Sequence, residues 1–138
     1  MKSQRVDTWA ASIPDRPGAL AAKLKELAAS GANFELVIAR RAGEQSGKGV
    51  VFVTPLKGAK QFGAAGSSGF TKSNSLHTLR AEGPDKVGAA GRVVAALADH
   101  GLNLRGFSAA AIGKKFNCYV ALDTETDVVR AARILREL

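Results

Sequence analysis

Residues able to do covalent or acid–base chemistry are few and scattered in this sequence. Its one cysteine, Cys118, lies inside the apolar run Phe116–Leu122, and neither His77 nor His100 stands at a motif spacing from it or from Ser12. No group of His, Cys, Asp and Glu has metal-ligand spacing, and no Walker-type phosphate loop occurs. Cys118 reads as a core thiol, and a lone thiol fits a reducing compartment. The better placed chemistry belongs to the backbone. In Ile13-Pro14-Asp15-Arg16-Pro17-Gly18-Ala19-Leu20 a tight loop hands a strand to a helix. Gly18 lets another backbone or a small ligand come close. The N–H groups that follow point out of the helix end with no internal partner. That is chemistry for holding a small molecule rather than converting one.

The elements that position this loop can be read from periodicity. Val6–Ser12 reads as a strand. Leu20, Leu24, Leu27 and Ala28 then recur at helical spacing, with Lys23, Lys25 and Glu26 on the other side. The helix is expected over 17–30, with Pro17 at its first position, Asp15 as a candidate N-cap and Gly31 as its left-handed C-terminal stop. A strand over 33–41, a hairpin turn at 42–47 and a returning strand over 49–54 follow. Residues 57–65 read as a weak helix, because Gly58 and Gly63 each cost about 1 kcal/mol relative to alanine. Residues 66–69 read as a flexible link and 70–72 as a short strand.

The loop then recurs at an offset of 70 residues. Pro14, Asp15, Arg16 and Gly18 become Pro84, Asp85, Lys86 and Gly88. Leu24 and Leu27 become Val94 and Leu97, and Gly31 and Asn33 become Gly101 and Asn103. A shift that preserves turn, helix face and exit together indicates an internal duplication. Copy two reads as a strand over 76–82, a helix over 87–99, a hairpin of strands 103–110 and 115–123 turned at 112–114, and a helix over 127–137 capped by Thr124 or Thr126. In that last helix Val128, Ala131, Ala132 and Leu135 face inward and Arg130, Arg133 and Arg136 face out.

The resulting fold class is α+β: tandem ferredoxin-like βαββαβ units, divided as residues 1–72 and 73–138, each an antiparallel sheet with helices on one face. The second unit lacks its last strand, since Leu138 directly follows its second helix. Something else must cover that sheet edge, or it stays open to a partner. With 138 residues and 46% hydrophobic composition, two small units are accommodated. The net charge of +8 is spread along the chain without long basic runs, which favours solubility over nucleic-acid binding. No apolar run reaches membrane-spanning length, and Met1–Arg5 is polar with no export segment after it, so a soluble cytoplasmic protein is expected.

The string Ile-Pro-Asp-Arg-Pro-Gly-Ala-Leu, followed by a helix and Gly-Ala-Asn-Phe, resembles the ACT domain, a small βαββαβ module that binds amino acids and regulates metabolic enzymes. Gly83-Pro84-Asp85-Lys86-Val87-Gly88 through Gly101-Leu102-Asn103 is similar to a second, more diverged copy, in which Val87 replaces the motif proline. The resemblance implies a free-standing tandem regulatory protein with no catalytic domain and no cofactor, acting on a client metabolic enzyme, and a homodimer is expected because pairing would protect the short copy-two edge. It implies a ligand site where ACT units meet, lined by Asp15, Arg16, Gly18, Ala19, Leu20 and Asn33 in copy one and by Asp85, Lys86, Gly88, Ala89, Ala90 and Asn103 in copy two. Bare amides would hold the amino acid's carboxylate, and Asp15 or Asn33 would accept from its ammonium. Divergence assigns copy two the more structural role. Each of these residues also has a plainer use, such as an N-cap for Asp15 and a turn for Asn33.

Two other readings compete. The RNA-recognition motif shares the strand order, and Lys48–Val53 with Trp9 partly matches its signature. Val50 and Pro55 occupy positions where stacking aromatics are needed, however, copy two shows no such pattern, and Phe52 is assigned to the core. A ligand-free interaction module that joins proteins through its sheet edges is the third possibility.

Overall fold

The computed structural model describes residues 1–43 and 46–138; Glu44 and Gln45, inside the expected 42–47 turn, lie outside the described residues. The elements run β1 (Lys2–Val6), β2 (Trp9–Pro14), α1 (Ala19–Ala29), β3 (Leu36–Arg41), β4 (Lys48–Thr54), α2 (Gly58–Ser67), β5 (Thr71–Lys72), β6 (His77–Pro84), α3 (Ala89–Asp99), β7 (Gly106–Ile112), β8 (Lys115–Leu122) and α4 (Glu125–Arg136). They form two antiparallel four-stranded sheets, ordered β3-β4-β2-β5 and β1-β6-β8-β7.

The copy-one unit comprises residues 7–73. Alternation along β2 and β4 sends Ala11, Ile13, Val51 and Val53 to the helix side, where they bury with Leu27, Ala65 and Phe70. Ala65 is wholly buried, and that burial carries α2 through its glycines to Ser67, beyond the expected stop, absorbing half of the expected flexible link. Phe52 is not in this core. It lies between Val51 and Val53 on β4, so the period of two turns it to the opposite, helix-free face, where it is half-buried.

The copy-two unit comprises residues 1–6 and 74–138. Leu79, Leu97, Phe116, Val120, Leu122 and Leu135 lead its core. Its fourth strand position is filled by β1, in register from Lys2 opposite Glu82 to Val6 opposite Thr78. The last strand missing from the end of copy two is thus supplied by the opening residues of the chain. For the same reason residues 1–6 go with the second sheet rather than with residues 7–72. The first strand of copy one is also later than expected, at Trp9–Pro14.

The duplication holds at the level of single hydrogen bonds. Asp15 N–H donates to the Gly47 carbonyl and Asp85 N–H to that of Lys114; Ala19 N–H donates to Arg16 and Ala89 N–H to Lys86. At the helix exits Ala32 N–H returns to Leu27 and Leu102 N–H to Leu97, with Gly31 at φ +89° and Gly101 at +73°. These are glycine-stopped helix ends, as the sequence predicts.

Candidate functional site

Each strand-to-helix loop closes as a turn before its helix starts. The bonds from Ala19 to Arg16 and from Ala89 to Lys86 place Gly18 and Gly88 at the helix caps with φ of +86° and +79°. Pro17 therefore precedes the cap rather than opening the helix. Asp15 caps nothing: α1 has no side-chain cap bond, and the Asp15 carboxylate pairs with Arg41 Nε at 2.9 Å. The turn also consumes the Ala19 and Ala89 amides. The open donors at the helix starts, among the described residues, include Gly18, Leu20 and Ala21 in copy one and Gly88, Ala90 and Gly91 in copy two.

The two loops differ in what surrounds them. In copy two a cavity of about 330 Å³ opens beside the loop, walled by Gly83, Pro84, Lys86, Ala89, Arg92 and Phe116 among others. A second cavity, of about 570 Å³, shares Met1, Gly83 and Pro84 with it and is lined further by Lys2, Glu82, Lys114 and Lys115. Of the copy-two residues expected at a site, Lys86 and Ala89 line the first cavity, while Asp85, Gly88, Ala90 and Asn103 border neither. Asp15, Arg16, Gly18, Ala19, Leu20 and Asn33 line neither of these cavities. Asp15, Arg16 and Asn33 are exposed, as are Asp85, Lys86 and Asn103.

Two substitutions between the copies account for much of the contrast. The position of Arg41, which ties up Asp15, is Ala111 in copy two, and Asp85 makes no ion pair among the described residues. The position of Ala22 is Arg92, whose Nη1 donates to the Val87 carbonyl at 2.7 Å, bracing the loop from the first turn of α3. Sequence reasoning omitted Arg92, though aligning the copies at the 70-residue offset singles it out as a cation present in one copy only. It also omitted Gly83, Phe116 and Met1. Met1 carries no local signal at all, since β1 brings it there by pairing with a strand more than seventy residues away.

The remaining reactive groups are engaged elsewhere. Cys118 is fully buried, and loss of water pushes its thiol up to about 11, against a smaller lowering by a backbone hydrogen bond with Ala81. His77 Nδ1 meets Glu125 at 3.2 Å and His100 Nδ1 meets the Ala96 carbonyl at 2.8 Å. Among the described residues no group of His, Cys, Asp and Glu could hold a metal ion, and no helix is long and apolar enough to cross a membrane. Trp9 packs on the helix side of its sheet and stacks on Phe62 of α2, with ring centroids 5.4 Å apart, so it is no base-stacking platform on the free face.

A model of the ACT domain family matches residues 77–138. No curated protein matches the sequence. Similar solved structures include a protein from Bacteroides thetaiotaomicron, with TM-score 0.78 at 14% identity over 98% of this chain and 89% of that one. The regulatory subunit of aspartate kinase from Thermus thermophilus, in a ligand-free form, gives TM-score 0.68 at 16% identity, covering 99% and 94% of the two chains. The corresponding subunit from Thermus flavus gives 0.64 at 17% identity with the same coverage. At these identities the structural likeness establishes the fold. The family match identifies residues 77–138, a little under half of the chain, as an ACT domain, a regulatory module.

Proposed function

We propose that this chain is a regulatory protein rather than an enzyme, and that it binds a free amino acid at the loop end of its copy-two unit. The observation that carries the reading is the cavity of about 330 Å³ walled by the second loop, near the small end of the usual range for metabolite pockets. Lys86 and Arg92 supply cations for a carboxylate, and the start of α3, which reaches the cavity wall through Ala89, adds the favourable field of a helix end, about 0.3–1 kcal/mol. Asp85, which makes no ion pair among the described residues and adjoins Lys86 outside the cavity wall, is the loop carboxylate available to the ammonium. A few charge-assisted bonds at about 1.5–3 kcal/mol each, less the cost of ordering, correspond to micromolar to millimolar affinity. That range suits a sensor of metabolite level, coupled to a metabolic enzyme or regulator.

The ligand is assigned to copy two although its sequence is the more diverged. Copy one keeps the motif, but Arg41 occupies its acidic group. Calorimetric titration with the twenty amino acids tests the reading. One or a few should bind, and Gly83→Leu, which places a bulky side chain where the two cavities meet, should abolish binding while Asn33→Ala leaves it intact. No binding by any amino acid would overturn the proposal in favour of a ligand-free interaction module. The observation favouring that second reading is the edge strand β7, open on one side with Ile112 71% exposed. A homodimer joined there would be compatible with either function.

A further inference from the structure

We infer that the amino acid held by copy two is an acidic one, its side-chain carboxylate lying in the second cavity while its α-carboxylate lies in the first. The inference rests on the amino-acid reading above and names the ligand class. The two cavities meet at Met1, Gly83 and Pro84, so one elongated molecule can occupy both. The first presents Lys86 and Arg92, the second Lys2, Lys114 and Lys115. The second cavity's carboxylate, Glu82, is engaged by Arg80 at 3.1 Å. None of the four lysines has a carboxylate within ion-pair distance among the described residues. Five side-chain cations therefore line two joined hollows whose one side-chain carboxylate is already engaged.

A neutral or basic side chain in the second cavity would leave those lysines uncompensated and, if basic, repelled. A carboxylate there relieves mutual repulsion and gains two or three charge-assisted hydrogen bonds. Copy one shows why this is particular to copy two. By strand register Lys114 corresponds to Gly47 and Lys115 to Lys48, so copy one has a single lysine where the copy-two turn has an adjacent pair.

The test is calorimetric titration of the full chain with L-aspartate, L-glutamate, L-asparagine, L-glutamine, succinate and inorganic phosphate, at low salt and at about 0.3 M salt, where the screening length falls well below 10 Å. Aspartate or glutamate should bind at least about tenfold tighter than its amide, and the preference should shrink at high salt. The double variant Lys114→Ala/Lys115→Ala should lose about tenfold in affinity for the acid and leave the amide nearly unchanged, whereas the arginine pair at the same positions should restore the preference. Equal binding of acid and amide, or tighter binding of an apolar amino acid, overturns the inference and leaves the amino-acid reading standing. Succinate binding as tightly as aspartate keeps the two-carboxylate assignment and overturns the amino-acid reading. Phosphate binding in place of the acids overturns both, and no binding by any of these probes overturns the inference while the titration with all twenty amino acids decides the amino-acid reading.

Discussion

Alkaline pH should destabilise the copy-two unit through one side chain. Cys118 is fully buried between Asn117 and Tyr119 on the central strand β8, and its thiol is raised from the ordinary 9.0 to about 11. In the unfolded chain the thiol ionises near its ordinary value. Between these two values the folded state binds more protons than the unfolded state, so stability falls as pH rises. The contribution is fully present below about pH 9 and is lost by about pH 11. Halfway, near pH 10, the loss is about 1.4 kcal/mol; it reaches about 2.3 kcal/mol at the upper end and levels off at about 2.7 kcal/mol. Urea unfolding followed by far-UV circular dichroism, at about pH 8 and about pH 10, measures the change in wild type and in Cys118→Ala. Lysine and tyrosine titrations are common to both proteins and cancel in the comparison. The wild type should lose about 1.3 kcal/mol more than the variant over that interval. A folded protein that reacts with thiol reagents as fast at pH 8 as the unfolded chain, or identical pH slopes in the two proteins, would refute burial as the cause.

Five further substitutions probe the elements that position the site. Thr124 Oγ1 accepts from Asp127 N–H at 3.1 Å, so Thr124→Ala should cost about 1 kcal/mol in chemical denaturation, while Thr126→Ala should stay within about 0.5 kcal/mol. Gly88→Ala should cost about 1–2 kcal/mol because φ is +79°, although the added Cβ would meet nothing closer than Arg92 Nη1 at 3.5 Å. Gly91→Ala, inside α3 with nothing within 4 Å, should instead raise stability by about 0.5–1 kcal/mol. Leu97→Ala empties a wholly buried site under the same helix and should cost about 2–5 kcal/mol, read as a lowered urea midpoint.

What could be read from the sequence was whatever leaves a local trace. The helix exits at Gly31 and Gly101 were legible because a positive φ demands glycine, and the inward faces of α3 and α4 because burial imposes a helical period. The cap was misread at Asp15 and Pro17 for a related reason. The sequence shows a good capping residue and a good first-turn residue, but the turn closed by Ala19 N–H and Arg16 carbonyl delays the helix until Gly18 has passed. Phe52 was misplaced because an apolar residue in an apolar run does not declare its face; only the register against β2 does. In the candidate site the loop was legible and its walls were not. Lys86 and Ala89 follow from the motif, whereas Phe116 and Met1 arrive from other strands.

The first strand shows why such a wall escapes sequence reasoning. Lys2-Ser3-Gln4-Arg5-Val6 has no clean alternation and carries two cations, so by composition it reads as a solvated tail. An edge strand is selected for that same composition, because charge on an unpaired edge discourages pairing with other chains. β1 hydrogen-bonds to β6 on one side only, and its ion pair from Arg5 Nη1 to Glu125 at 2.8 Å ties it to the start of α4. The strand that completes the sheet also brings Met1 to both cavities and Lys2 to the second. Closing the sheet and walling the site are therefore one structural event in this unit. Any change that frees β1 should weaken ligand binding along with stability, and bound ligand should in turn protect the β1–β6 amides from hydrogen exchange. Exchange at those amides that is fast and indifferent to ligand would separate the two roles and remove β1 from the site.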